Sequence, residues 1–122
     1  MREGVNLVGE KSIAFSFRII NLYKFLIGKR EMILSKQILR SGTSIGANIS
    51  ESVFAESNMD FIHKLSISRK EANETKYWLL LLQKGEYISE IEFNSMLQDC
   101  VELIKILTSI IISSKKKAVT KL

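Results

Sequence analysis

Apolar residues recur at steps of three and four along nearly the whole chain, the spacing that gathers them on one face of a helix. With no proline and only six glycines, little room is left for strands. The pattern predicts four helices, over about residues 11–29, 35–55, 59–84 and 89–114. Each break carries its own punctuation. "GKREM" follows the first helix and "ESNMD" precedes the third. In "KGEYIS", Gly85 suits a helix C-terminus, and Ser89 with Glu92 forms a capping box.

The third helix places Phe61, Leu65, Ser68, Ala72, Thr75, Leu79 and Leu82 on one heptad seam, and the fourth offers Phe93, Leu97, Cys100, Ile104, Leu107 and Ile111 in the same rhythm. Short connections between long helices favour antiparallel neighbours. The expected fold is therefore all-α, an antiparallel up-down-up-down four-helix bundle in which residues 1–122 form one domain.

The first helix is apolar over too much of its perimeter. Phe15, Leu26, Ile19, Tyr23, Ile27, Ile20, Ile13 and Phe17 cover more than half of the helical wheel, and Leu22 and Phe25 flank a narrow stripe of Lys11, Arg18 and Lys29. A bundle helix needs roughly a third of its perimeter for one core. The excess predicts a second buried surface, most simply a contact between copies of the chain.

"QILRSGTSIGANISES", residues 37–52, is rich in small residues but matches neither GxxxxGK[ST] nor GxGxxG, so it does not read as a phosphate loop. As a helix it carries Ile38, Ile45, Ile49 and Ser52 on one stripe and Arg40, Ser44, Asn48 and Glu51 on another. Helical glycines cost about 1 kcal/mol each relative to Ala. Gly42 and Gly46 therefore predict close approach of a neighbouring helix. Pairing with the third helix around a turn near Ser57 brings Arg40 to Glu74, with Ser44 and Asn48 available to hydrogen-bond across a partly buried seam.

Composition refines this picture in three ways. Hydrophobic residues make up 46% and charged residues 25%, the balance of a packed globule. The net charge of +5 sits mostly in a basic C-terminal tail over about residues 115–122, with Lys115, Lys116, Lys117 and Lys121; residues 1–114 carry 14 basic against 13 acidic side chains. A lone cysteine excludes an internal disulfide, and no leader or membrane-length apolar run is evident, so a cytoplasmic location and no membrane partner are expected.

Candidate catalytic chemistry is thin. A di-metal carboxylate bundle needs Glu-x-x-His on two helices, whereas the one histidine, His63, has no Glu three residues before it. Glu71 and Glu74 share a face without further ligands. Cys100 sits on an apolar seam and reads as a buried, inert thiol. Trp78 reads as a core or interface anchor, since its neighbour Tyr77 must point about 100° away. No enzyme, metal or cofactor is expected.

"SKQILRSGTSIGANISES" followed by "DFIHKLSISRKEANETKYWLLLL" resembles the bacterial four-helix-bundle family of proteins encoded in 23S rRNA intervening sequences, which also includes the accessory variability determinants of diversity-generating retroelements. The matching positions are Gln37, Arg40, Ser44, Ile45, Ala47, Asn48 and Glu51, with Glu71, Glu74 and Leu79. Ser52 departs from the usual Gly or Ala. The resemblance implies a bundle without catalytic activity, assembled into a homo-oligomeric ring, typically a pentamer. In the retroelement branch it implies binding of nucleic acid and of a reverse transcriptase.

Ring symmetry would multiply Lys11, Arg18 and Lys29, together with the tail lysines, into a basic band able to neutralise phosphates of RNA or DNA. The leading expectation is thus a homo-oligomer that binds nucleic acid through repeated basic residues. The alternative is a protein-interaction adaptor that holds a reverse transcriptase or another nucleic-acid enzyme.

Overall fold

The computed structural model describes residues 4–120. Among them the chain forms four helices and no strand: α1 Val5–Gly28, α2 Leu34–Ser52, α3 Asn58–Lys84 and α4 Glu90–Thr120. α1 starts ahead of the expected residue 11 because Val5 and Val8 are both buried. Gly4 precedes it at a positive φ of 84°, beside the Ile110 side chain of α4. α2 stops before the expected residue 55, since Phe54 and Ala55 donate three residues back, to Glu51 and Ser52, and tighten the chain into a turn. α4 continues past residue 114, so Lys115, Lys116 and Lys117 are helical.

Caps account for the breaks. Ser57 Oγ accepts the Asp60 N–H (3.0 Å) to start α3, and Ser89 and Glu92 bond reciprocally as a capping box before α4 (3.1 and 3.2 Å). Gly85 closes α3 with its N–H on the Leu81 carbonyl (2.8 Å), but the left-handed turn falls one residue later, at Glu86.

The cap of α2 has no counterpart in the sequence reading. Glu31, almost fully buried, accepts from the N–H groups of Ile33 (3.1 Å), Leu34 (2.8 Å) and Ser35 (2.7 Å), satisfying three donors that a helix start leaves open. Burial pushes its carboxyl pKa up. The bonds from Leu34, Ser35 and Ile33 outweigh that and leave it below the ordinary 4.5. A lowered folded pKa stabilises the fold above the unfolded value and loses that contribution as pH falls through the folded one. Glu31→Gln is expected to cost about 1–2 kcal/mol at neutral pH. Denaturation of both proteins as a function of pH checks this: the gap should be constant above pH 4.5 and close below it.

Packing follows the predicted seams for α3 and shifts for α4. All seven α3 seam residues are buried. On α4 the buried line is Met96, Cys100, Leu103, Leu107, Ile110 and Ile111; Leu97 and Ile104 turn to its flank and are only partly buried, and Phe93 likewise. Cross-helix partners run in opposite order along each neighbouring pair. Between α2 and α3 they are Glu51 with Lys64, Ile45 with Ser68 and Ser41 with Thr75. Between α3 and α4 they are Asn58 with Ser114, Arg69 with Thr108 and Ala72 with Cys100.

The predicted close approach at the glycines is present between α1 and α2. A Cβ at Gly42 would stand 2.7–2.9 Å from three carbons of Ile19, and one at Gly46 would stand 3.1 Å from Ser12 Oγ. Among the described residues, no helix is long and apolar enough to cross a membrane.

Candidate functional site

Three surfaces carry the side chains singled out above: the α2–α3 seam, the α1–α4 groove, and the outer face of α1 with α2.

In the first, Arg40 reaches both acids of α3. Its Nη1 lies 3.1 Å from Glu71 Oε2, and its Nη2 bonds Glu74 Oε2. The same Glu74 oxygen accepts the Trp78 indole N–H (3.1 Å), and Tyr77 meets that indole edge-on at 5.2 Å. One guanidinium thus ties two turns of α3 to α2. The expected pair of Arg40 with Glu74 is present, and Glu71 is a second partner.

Ser44 and Asn48 do not bond across the seam. Ser44 Oγ donates to the Arg40 carbonyl (2.6 Å) and Asn48 Nδ2 to the Ser44 carbonyl (2.9 Å), both within α2. The cross-seam bonds come instead from Ser68 Oγ to the Ile45 carbonyl (2.8 Å) and from the Thr75–Ser41 hydroxyl pair (2.9 Å). These hydroxyls sit on the buried line, where a polar atom without a partner costs most. Glu51 pairs with Lys64 (3.3 Å), and Gln37 is exposed.

The α1 basic stripe faces acids of α4. Lys11 Nζ lies 2.6 Å from Glu102 Oε1, and the hydrogen bond and charge of that carboxylate raise its pKa above the ordinary 10.5. Arg18 binds Asp99 Oδ2 (2.6 Å), the Ser95 hydroxyl (2.9 Å) and the Ser95 carbonyl (3.3 Å). Lys29 lies 5.4 Å from the centre of the Phe25 ring. The stripe is therefore half of a mixed-charge groove and not a bare cationic band. The α4 partners of Arg18 are about eighty residues away in sequence and that of Lys11 about ninety, out of reach of any helical wheel. Below it, a cleft of about 280 Å³ opens among Leu22, Phe25, Ile88 and Met96.

Lys115, Lys116 and Lys117 are exposed along the last turns of α4. Lys121 lies outside the described residues.

The third surface is apolar. Ile13 (59%) and Phe17 (63%) remain exposed on α1, with Ile20 half-buried beside them. Together with Ser16, Gly46 and Ala47 they line a cleft of about 280 Å³. Ile13 and Gly46 also border a second cleft of about 340 Å³, toward Gly9, Ile49 and Val53. The groove exists because Gly46 and Ala47 present almost no side chain opposite α1.

The remaining reactive groups are simply placed. Cys100 is fully buried and donates its S–H to the Ala72 carbonyl (3.2 Å). Burial pushes its thiol up to about 12, with Lys76 opposing and Asp99 adding. His63 is exposed on α3.

Fold and surfaces together define a four-helix bundle whose second and third helices are locked by an arginine–carboxylate seam and whose first helix keeps an uncovered apolar face. The chain belongs to the 23S rRNA-intervening sequence protein family, whose sequence model matches residues 6–109. It is similar to a protein of unknown function from the S23 ribosomal protein family of Bacteroides thetaiotaomicron. The two are 55% identical, the alignment covers 88% of this chain and 97% of that one, and the structures superpose with a TM-score of 0.87. No curated protein matches the chain.

Proposed function

We propose that the protein is a non-catalytic scaffold, an antiparallel up-down-up-down bundle whose copies assemble through the outer face of α1 and α2 into a ring that contacts nucleic acid. Five copies is the number the family resemblance implies. The observation that carries this reading is the uncovered apolar groove at Ile13, Phe17 and Gly46, a surface that suits a contact between copies. The opposite order of cross-helix partners supports the antiparallel arrangement. The deeply buried thiol and the pairing of Glu71 and Glu74 with Arg40 support a role without catalysis.

Lys11 and Arg18 already have carboxylate partners, so the phosphate contacts in this reading move to Lys115 and Lys117. Solution mass and nucleic-acid binding test it together. The expected results are a multiple of 13.9 kDa, and binding of RNA or DNA that weakens steeply with salt, as release of counterions requires. A single-chain mass rejects the assembly. Absence of binding at low salt rejects the nucleic-acid role.

The pairing of Lys11 and Arg18 favours a second reading, an adaptor that holds a nucleic-acid enzyme on its apolar face. In that case Lys115→Gln with Lys117→Gln leaves capture of the partner unchanged, while Phe17→Asp abolishes it.

A further inference from the structure

One end of the bundle combines features that the reading above leaves unused. The corner between α2 and α3 carries Phe54 and Met59, each 83% exposed. Neither helps to build the core, and a large apolar side chain held in water at a tight corner calls for an explanation. The corner is tied to α4 by Asn58, whose Nδ2 donates to the carbonyl of Ser114 (3.2 Å), one residue before the lysine run. An exposed aromatic ring and the exposed lysines of α4 thus share the same end of the molecule.

We propose that this end takes single-stranded nucleic acid, with an unpaired base stacked on Phe54 and neighbouring phosphates drawn to Lys115 and Lys117. The inference rests on the nucleic-acid reading above and deepens it. Lysines alone treat any polyanion alike and favour the duplex for its higher charge density. A ring face adds something only unpaired bases can use, because in a duplex every base is already stacked on its neighbours. The acids at this end oppose a phosphate in either partner, so it is the exposed ring that favours an unpaired base over a membrane surface.

Those acids also shape the test. Glu51 is bonded to Lys64, and Asp60 accepts the Glu56 N–H (3.2 Å) within the cap of α3. Glu56 itself is exposed, two residues from Phe54, where its charge opposes an approaching phosphate. Removing that charge should strengthen binding, an outcome that damage to the fold does not produce.

Fluorescence anisotropy at low salt, with labelled homopolymer RNA, the equivalent single-stranded DNA and a duplex, decides the matter. The wild type should prefer either single strand to the duplex. Phe54→Leu, which keeps an apolar side chain but removes the ring, should lose on the order of ten-fold on single strands and nothing on the duplex. Glu56→Gln should gain a few-fold, and Lys115→Gln with Lys117→Gln should lose on all three. Equal affinity for strand and duplex, or a Phe54→Leu protein indistinguishable from wild type, overturns the inference and leaves the nucleic-acid reading standing. No binding of any probe overturns both.

Discussion

Phe17→Asp is expected to convert an assembly into single chains of 13.9 kDa that remain fully helical. Phe17 is 63% exposed and borders the cleft that Gly46 and Ala47 leave open, so its side chain contributes little to the core and much to whatever closes that cleft. Covering a phenyl ring of this kind is worth about 1.5–3 kcal/mol. A carboxylate in its place must also lose its water in a site with no basic partner among the lining residues. Together these amount to at least ~3 kcal/mol at each contact, on the order of a hundred-fold in its dissociation constant. Ile13→Asp should act in the same way. Light scattering at micromolar concentration gives the mass, and circular dichroism confirms that the variant is folded. A wild-type chain that is already a monomer, or a Phe17→Asp protein of unchanged mass, refutes the assembly surface.

The second large effect is inside the fold. Replacing Gly42 by Ala improves helix propensity by about 1 kcal/mol, and on an open surface it would stabilise. Here the new methyl would enter within 2.7–2.9 Å of Cγ1, Cδ1 and Cγ2 of Ile19, a fully buried side chain with no open direction. Overpacking of this kind costs about 1–3 kcal/mol, and moving α1 away from α2 to relieve it would also loosen Gly46 against Ser12. A net loss is expected despite the better helix former. The check is a double-mutant cycle in chemical denaturation. Ile19→Ala alone removes core volume and destabilises, but combined with Gly42→Ala it should cost about 1–2 kcal/mol less than the two changes summed. Simple additivity would mean that the contact is not what requires glycine.

This glycine was legible in the sequence because a residue that weakens a helix invites a packing explanation. The α3 seam was legible for a related reason. Ser68 and Thr75 interrupt an apolar line at the heptad spacing, and both are buried with partners on α2. The seam of α4 was harder, because Met96, Leu97, Leu103, Ile104, Ile110 and Ile111 offer two overlapping apolar lines, and the choice between them is made by α3 and α1. Glu31 is not marked in the sequence because it caps from before the helix, reaching forward past Met32 to three N–H groups, outside the Ser/Thr box that marks α4. Least legible was the candidate site itself. The basic stripe of α1 is plain in its own helix, but Asp99 and Glu102 neutralise it from a helix that only the folded chain brings alongside.

The solitary thiol turns the fold into its own stopwatch. With Cys100 fully buried between α3 and α4 and burial pushing its thiol up to about 12, the reactive thiolate is scarce at neutral pH. Alkylation of the native protein must wait until those two helices part. Its rate therefore counts their separations, in an assembled ring or a lone subunit alike, without a label introduced anywhere in the chain.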